Sequence, residues 1–301
     1  MRLIAIGFVA LTLVVCGGCS DEPKVEGMGP PQVGSAAAPV DADLGCVGTS
    51  TDCSLPLYAG ITCPPAAGFT VSGPVEDFQS KDNIVEAIGS DAVATVTVYK
   101  TTADVLSDTP LAGPVQTDTN GMYTVTIPDS VTRVIFKTTM ADSKDTYEFG
   151  QLVAPDETDN YRYSVSNATG DFINAWVGMA FDPTKGAVAG ALRDCQQREI
   201  ANAIGKALDA GGGDVIPETQ IFYFNDAAGL PTKRSKRTWS DFDGRMLFLN
   251  VPPTTGGVTI QAWVNQDGDS EGVAELLISE NVVPVMANAI VITDLDPLGS
   301  Q

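Results

Sequence analysis

From Phe69 onward the apolar residues of this chain return at every second position, in short runs broken by turn residues, and that pattern confines it to β-structure. Thr95 and Thr97 alternate with Val96 and Val98 across Ala94 to Tyr99, and Tyr123, Val125 and Ile127 alternate with Met122, Thr124 and Thr126 before Pro128. Successive strand side chains point to opposite faces, so each run describes a half-buried strand. Between them, Thr117-Asp118-Thr119-Asn120-Gly121 reads as a hairpin turn, because both central residues of a type I′ turn need positive φ and Asn-Gly tolerates it. Val131 to Lys137 reads as a further strand, and Phe69-Thr70-Val71 as an earlier one that meets Gly73-Pro74. Short strands at this spacing predict a β-sandwich.

The layout then recurs. Gly186 to Asp194 lines up with Phe69 to Asp77 around Gly190 and Gly73. Ser240 to Pro252 lines up with Thr117 to Pro128, setting Asp241 on Asp118, Gly244 on Gly121 and Pro252 on Pro128, and Val258 to Val264 answers Val131 to Lys137. Self-similarity of this kind implies two copies of one unit. A glycine after the first strand, a D-x-[ND]-G-x-[YF]-like turn and an x-[VI]-P strand end, best kept in Phe248 to Pro253, resemble the carboxypeptidase regulatory-like domain. The chain departs from that pattern where Ala92 to Val98 keeps the usual "A-G-A-x-V" segment only loosely and Asn202 to Leu208 replaces it in the second copy. The resemblance implies a transthyretin-like (prealbumin) sandwich and an accessory, interacting role without an active site.

Between the copies, Phe172, Ala175, Trp176 and Met179 fall at helical spacing over Thr169 to Ala180, with Thr169 as cap. This predicts a helix whose Trp-Met stripe packs between the two units, ended by Phe181-Asp182-Pro183.

The N-terminus carries Arg2, an apolar run from Leu3 to Val15, then Cys16-Gly17-Gly18-Cys19. The run falls short of the roughly 20 residues a spanning helix needs and matches a secretory h-region. Glycines before Cys19 resemble the lipobox of bacterial lipoproteins, which implies lipidation of Cys19, with Ser20 favouring the outer membrane. The polar, Pro/Gly/Ala-rich residues that follow predict a flexible tether. Past the lipobox, Cys46, Cys53, Cys63 and Cys195 form an even set, the signature of two disulfides in an exported chain. In every pairing Cys195 joins one of the other three.

Asp and Glu number 38 against 17 Lys and Arg, a net charge of −21, and there is no histidine. The charge argues against nucleic acid as partner. The missing imidazole removes Ser-His-Asp and Cys-His nucleophiles and the usual zinc sites. Asp267, Asp269 and Glu271 cluster around Gly268 as calcium ligands do, without the EF-hand spacing, so a solvated turn is the expected reading. Lys233, Arg234, Lys236 and Arg237 form the one basic cluster, in a loop from Asn225 to Trp239, and suit an anionic partner or a plain solvated loop. Among Tyr161, Tyr163, Trp176, Trp239 and Trp263, a possible carbohydrate-stacking set, Trp239 is expected to be the exposed member and Trp176 and Trp263 core.

The expectation is therefore an all-β chain: signal peptide 1–18, tether 19–45, Cys-rich segment 46–65, sandwich 66–150, helical connector 151–183, sandwich 184–296 and tail 297–301. It predicts a lipid-anchored, non-enzymatic envelope protein without cofactor, acting as a structural or adhesive interaction module, with an envelope protein or polysaccharide as partner. The alternative is a carbohydrate-binding module.

Overall fold

A computed structural model describes residues 28–44, 68–128, 131, 133–155, 157–225, 227, 229–233, 236–266 and 276–297. The architecture is all-β, with three short helices. The chain begins with a hairpin of β1 (Gln32–Ser35) and β2 (Ala38–Asp41). The first set of strands is β3 (Phe69–Asp77), β4 (Ala94–Tyr99), β5 (Ala112–Gln116), β6 (Met122–Ile127), β7 (Arg133–Met140), β8 (Ser143–Leu152) and β9 (Arg162–Ser166). Helices α1 (Ile84–Ala87) and α2 (Thr102–Leu106) interrupt it, and α3 (Asn167–Val177) follows. The second set is β10 (Gly186–Leu192), β11 (Ala203–Leu208), β12 (Ile221–Asn225), β13 (Leu230–Thr232), β14 (Arg245–Val251), β15 (Val258–Val264), β16 (Leu276–Val283) and β17 (Ala289–Leu295). Among the described residues no helix is long and apolar enough to cross a membrane.

The strand pairings repeat. In the first set β3 lies between antiparallel β6 and parallel β9, while β7 lies between β4 and β8. In the second, β10 lies between antiparallel β14 and parallel β17, while β15 lies between β11 and β16. The repeated glycines have a steric cause. A Cβ on Gly73 would sit 2.2 Å from the Asn160 carbonyl oxygen, and one on Gly190 2.5 Å from that of Thr293. The repeated turns also do the same work: the Val75 N–H donates to the Gly121 carbonyl and the Leu192 N–H to that of Gly244, each at 2.9 Å.

The first of those turns is not a hairpin, because β5 pairs with β4 while β6 pairs with β3, so the chain crosses between sheets. Of the Asn-Gly pair only Gly121 has positive φ, and the turn is held by the Asp118 carboxylate, which accepts from the N–H groups of Asn120 and Met122 at 2.8 and 2.9 Å. Nor does Gly73-Pro74 stop β3, which runs on to Asp77 by exchanging β6 for β9 as neighbour.

One core fills the first sandwich, with Val71 and Val75 of β3 facing Val96 and Val98 of β4, and Tyr123 and Phe136 at its centre. The second core joins Val188, Leu192, Met246 and Phe248 to Ile260 and Ile278, and also takes in Tyr99, Ile135 and Tyr147 from the first set. The two sets share a sheet. Strand β17 lies parallel to both β10 and β8, giving the continuous order β13-β12-β14-β10-β17-β8-β7-β4-β5.

Residues 28–44 of the expected tether pack against the second set of strands. Met28 and Val33 are buried in the second core, Asn202 Nδ2 donates to the Pro30 carbonyl at 2.9 Å, and the Gln32 and Ala201 backbones bond each other. Apolar Met28 and Val33 make this docking favourable where polarity and Pro/Gly content alone predict a free chain.

Candidate functional site

Alternation along the second front sheet explains where a site can form. Met246 and Phe248 of β14 point into the core, so Leu247 and Leu249 point outward, beside Ala187 and Ala189 of β10, Phe222 and Phe224 of β12, and Ile290 of β17. An outward apolar face needs cover, and α3 supplies it with Ile173 and Val177. The helix starts at Asn167, with Ser166 as cap, its hydroxyl accepting the Thr169 N–H at 3.1 Å, and it ends at left-handed Gly178.

Its buried stripe is therefore offset from the expected one. Phe172 and Trp176 face solvent, 45% and 48% exposed, with ring centroids 6.0 Å apart and the Trp176 indole N–H donating to the Pro231 carbonyl at 2.9 Å. Amphipathic spacing fitted both stripes; the small residues Thr169 and Gly170 continue the one that packs, because they let the helix approach.

Where α3 leaves the sheet uncovered, a cleft of about 470 Å³ opens between the two sets of strands. Ala189 and Ala191 form its floor, Phe172 and Phe78 its walls, and Lys81 and Arg245 stand at its mouth. Beneath the helix lies an almost wholly apolar cavity of about 40 Å³ that shares Ala189 and Phe224 with the cleft. Lys81 Nζ lies 4.2 Å from the Phe78 ring centre and 3.9 Å from that of Tyr163. The crowding of water by these rings, and then the like charge of Arg245, hold its ammonium below the usual lysine range. Asp294 lines the cleft as well; burial raises its carboxyl, and Arg193, 3.2 Å away, opposes that shift.

Behind the cleft a buried ion pair joins β9 to β8 within the first set of strands. Arg162 Nη1 lies 2.6 Å from Glu148 Oε2, Glu148 also accepts the Tyr163 N–H, and the guanidinium lies 4.2 Å over the Phe136 ring. Burial pushes the Glu148 carboxyl up, against the pull of Arg162 and of the Tyr163 N–H.

The residues singled out from sequence are dispersed. Lys233 and Lys236 are exposed, Lys233 against Gly178 at the end of α3, while Arg237 pairs with Asp241 at 2.9 Å. Their loop is interrupted by β13, which forms a hairpin with β12. Trp239, expected outside, is half-buried against the second core, because the chain must turn inward to bury Ser240, whose hydroxyl donates to the Ile200 carbonyl at 2.8 Å. Trp263 is half-buried, its indole N–H donating to Gln261 Oε1 at 3.0 Å. Tyr161 and Tyr163 do meet, with centroids 5.2 Å apart, and Tyr161 is exposed. Cys195 follows β10, its N–H donating to the Asp43 carbonyl at 2.8 Å. Cys19, Cys46, Cys53, Cys63, Arg234, Asp267, Asp269 and Glu271 lie outside the described residues. Among the described residues no group of three or more acidic or cysteine side chains is arranged to hold a metal. Sequence reasoning missed Phe78, Lys81 and Arg245, whose convergence depends on β17 bridging the two sets.

No family model matches the chain, and no curated protein does. Among solved structures it is similar to a double mutant of the shaft pilin SpaA from Lactobacillus rhamnosus GG, at 11% identity and TM-score 0.22, over 77% of this chain and 98% of that one. A Streptococcal ancillary pilin follows at 9% identity and TM-score 0.23, over 77% of this chain and 69% of that one. BcpA, the major pilin subunit of Bacillus cereus, is similar at 11% identity and TM-score 0.22, over 69% and 59%.

Proposed function

We propose that this chain is a non-catalytic interaction module of the bacterial cell envelope, held to the outer membrane through lipidated Cys19 and built from two carboxypeptidase regulatory-like sandwiches. The observation that carries the reading is the shared sheet. With β17 hydrogen-bonded to β10 on one side and β8 on the other, one continuous sheet runs through both sandwiches, which suits a structural or adhesive role. Cross-linking in intact cells, with a Cys19→Ser variant beside the unaltered chain, tests it. The expected result is one reproducible protein partner, lost or reduced when the variant leaves the membrane fraction. Recovery of the monomer alone would overturn the reading.

A second reading, saccharide binding, is favoured by the outward Phe172–Trp176 pair on α3. Planar rings present flat apolar faces on which sugar C–H faces stack. Trp176→Ala is expected to abolish retention on an immobilised envelope polysaccharide; equal retention would dismiss this surface.

A further inference from the structure

The inner side of α3 carries a separate site, independent of the adhesive reading. We propose that the cleft between α3 and the β14-β10-β17 face binds a fatty carboxylate, its head between Lys81 and Arg245 and its chain running over Ala189 into the cavity beneath the helix.

The volume and the lining come first. A cleft of about 470 Å³ falls within the roughly 300–1,000 Å³ of small-molecule sites, which are apolar with a few placed polar groups. Its floor is Ala189 and Ala191, flanked in register by Leu247 and Ile292, and by Arg245 and Asp294, so a trough runs along β10 between bulkier neighbours. The cavity under α3 shares Ala189, Ile173 and Ile292 with the trough, so the two adjoin. There Asn174, only 8% exposed, lines the wall, and its side chain makes no hydrogen bond to any described residue. A chain lying in the trough removes apolar surface from water at about 25 cal/mol per Å².

Charge selects the head group. In a chain of net charge −21, two cations meet at one mouth, and neither the Lys81 ammonium nor the Arg245 guanidinium has an acceptor among the described residues. A carboxylate accepts from both. The acids nearby limit how much negative charge the mouth accepts: Glu76, Asp77 and Glu148 act on Lys81, and Asp294 stands on the floor paired with Arg193. A dianionic phosphate would face these carboxylates, whereas a single carboxylate balances the two cations with one charge. Lys81 resting on the Phe78 and Tyr163 rings is held where the head group arrives.

Calorimetric titration of the purified full chain with dodecanoate tests the assignment, with dodecyltrimethylammonium as the charge-reversed probe and a galacturonate trisaccharide as the saccharide probe. The expected result is saturable one-to-one binding of dodecanoate alone. Lys81→Ala or Arg245→Ala, each alone, is expected to weaken it by about tenfold to a hundredfold, the worth of one lost charge-assisted hydrogen bond. Ala189→Phe, which fills the trough and leaves both cations in place, should abolish it, and Lys236→Ala, outside the cleft, should leave it unchanged. Equal binding of both surfactants, loss of affinity with Lys236→Ala alone, or displacement of dodecanoate by the trisaccharide would overturn the proposal. So would failure of the folded chain to bind dodecanoate.

Discussion

Arg162→Met probes the buried joint between β8 and β9 in the first set of strands. Methionine keeps the apolar stem over Phe136 and removes the charge that Glu148 faces at 2.6 Å. Both side chains are nearly inaccessible, at 5% and 4% exposure, so the carboxylate left behind retains only the Tyr163 N–H. Breaking a buried pair by deleting one member costs about 3–5 kcal/mol. The cost depends on pH, because burial already raises the Glu148 carboxyl above its ordinary value and losing Arg162 raises it further. With the folded value above the unfolded one, the native state holds the extra proton, so stability rises as pH falls through the folded value. The gain stops below the unfolded value, about 4.3. The gap between variant and unaltered chain is therefore widest near pH 8 and closes toward pH 5, by at most about 1.4 kcal/mol per pH unit for one proton. Urea unfolding followed by tryptophan fluorescence measures it at each pH. Glu148→Gln with Arg162→Met should recover most of the loss, since no charge is then stranded. A gap below about 1 kcal/mol at pH 8, or one of equal size at pH 5 and pH 8, would refute the reasoning.

Gly190→Val forces a side chain to within 2.5 Å of the Thr293 carbonyl oxygen and is expected to cost more than about 2 kcal/mol in urea unfolding, whereas Gly256→Ala, which meets open space, should be near neutral. Tyr123→Phe removes a buried hydroxyl that donates to Asn160, 2.8 Å from its carbonyl oxygen and 2.7 Å from its Oδ1, and should cost about 1 kcal/mol in the same assay. The Cys195 N–H donates to the Asp43 carbonyl at 2.8 Å, so non-reducing peptide mapping is expected to recover Cys195 joined to Cys46; a free Cys195 thiol, or a link to Cys53 or Cys63, would contradict this.

What the sequence made legible follows from local physics. Ala94 to Tyr99 and Met122 to Ile127 are strands where alternation places them, and Gly73 and Gly190 mark the same close approach in each set. Pairing partners are a different matter. Asn120-Gly121 carries hairpin chemistry, yet β5 and β6 belong to different sheets, because burying Tyr123, Val125 and Ile127 against β4 and β7 outweighs the local turn preference. The helix was legible as amphipathic, but which stripe it buries depends on the outward Leu247–Leu249 face, contributed by residues far along the chain. The cleft was illegible for the same reason: Lys81 precedes β4 and Arg245 begins β14, and only the fold brings them to one mouth.

The strand that joins the two sets, β17, follows all its neighbours in the chain. β8 and β10 both wait for residues 289–295, and until these arrive each presents an open row of N–H and C=O groups on that side. Such edges template pairing with other chains, and contacts between distant residues form slowly. A chain lacking β17 is therefore expected to be adhesive toward its own copies rather than merely less stable.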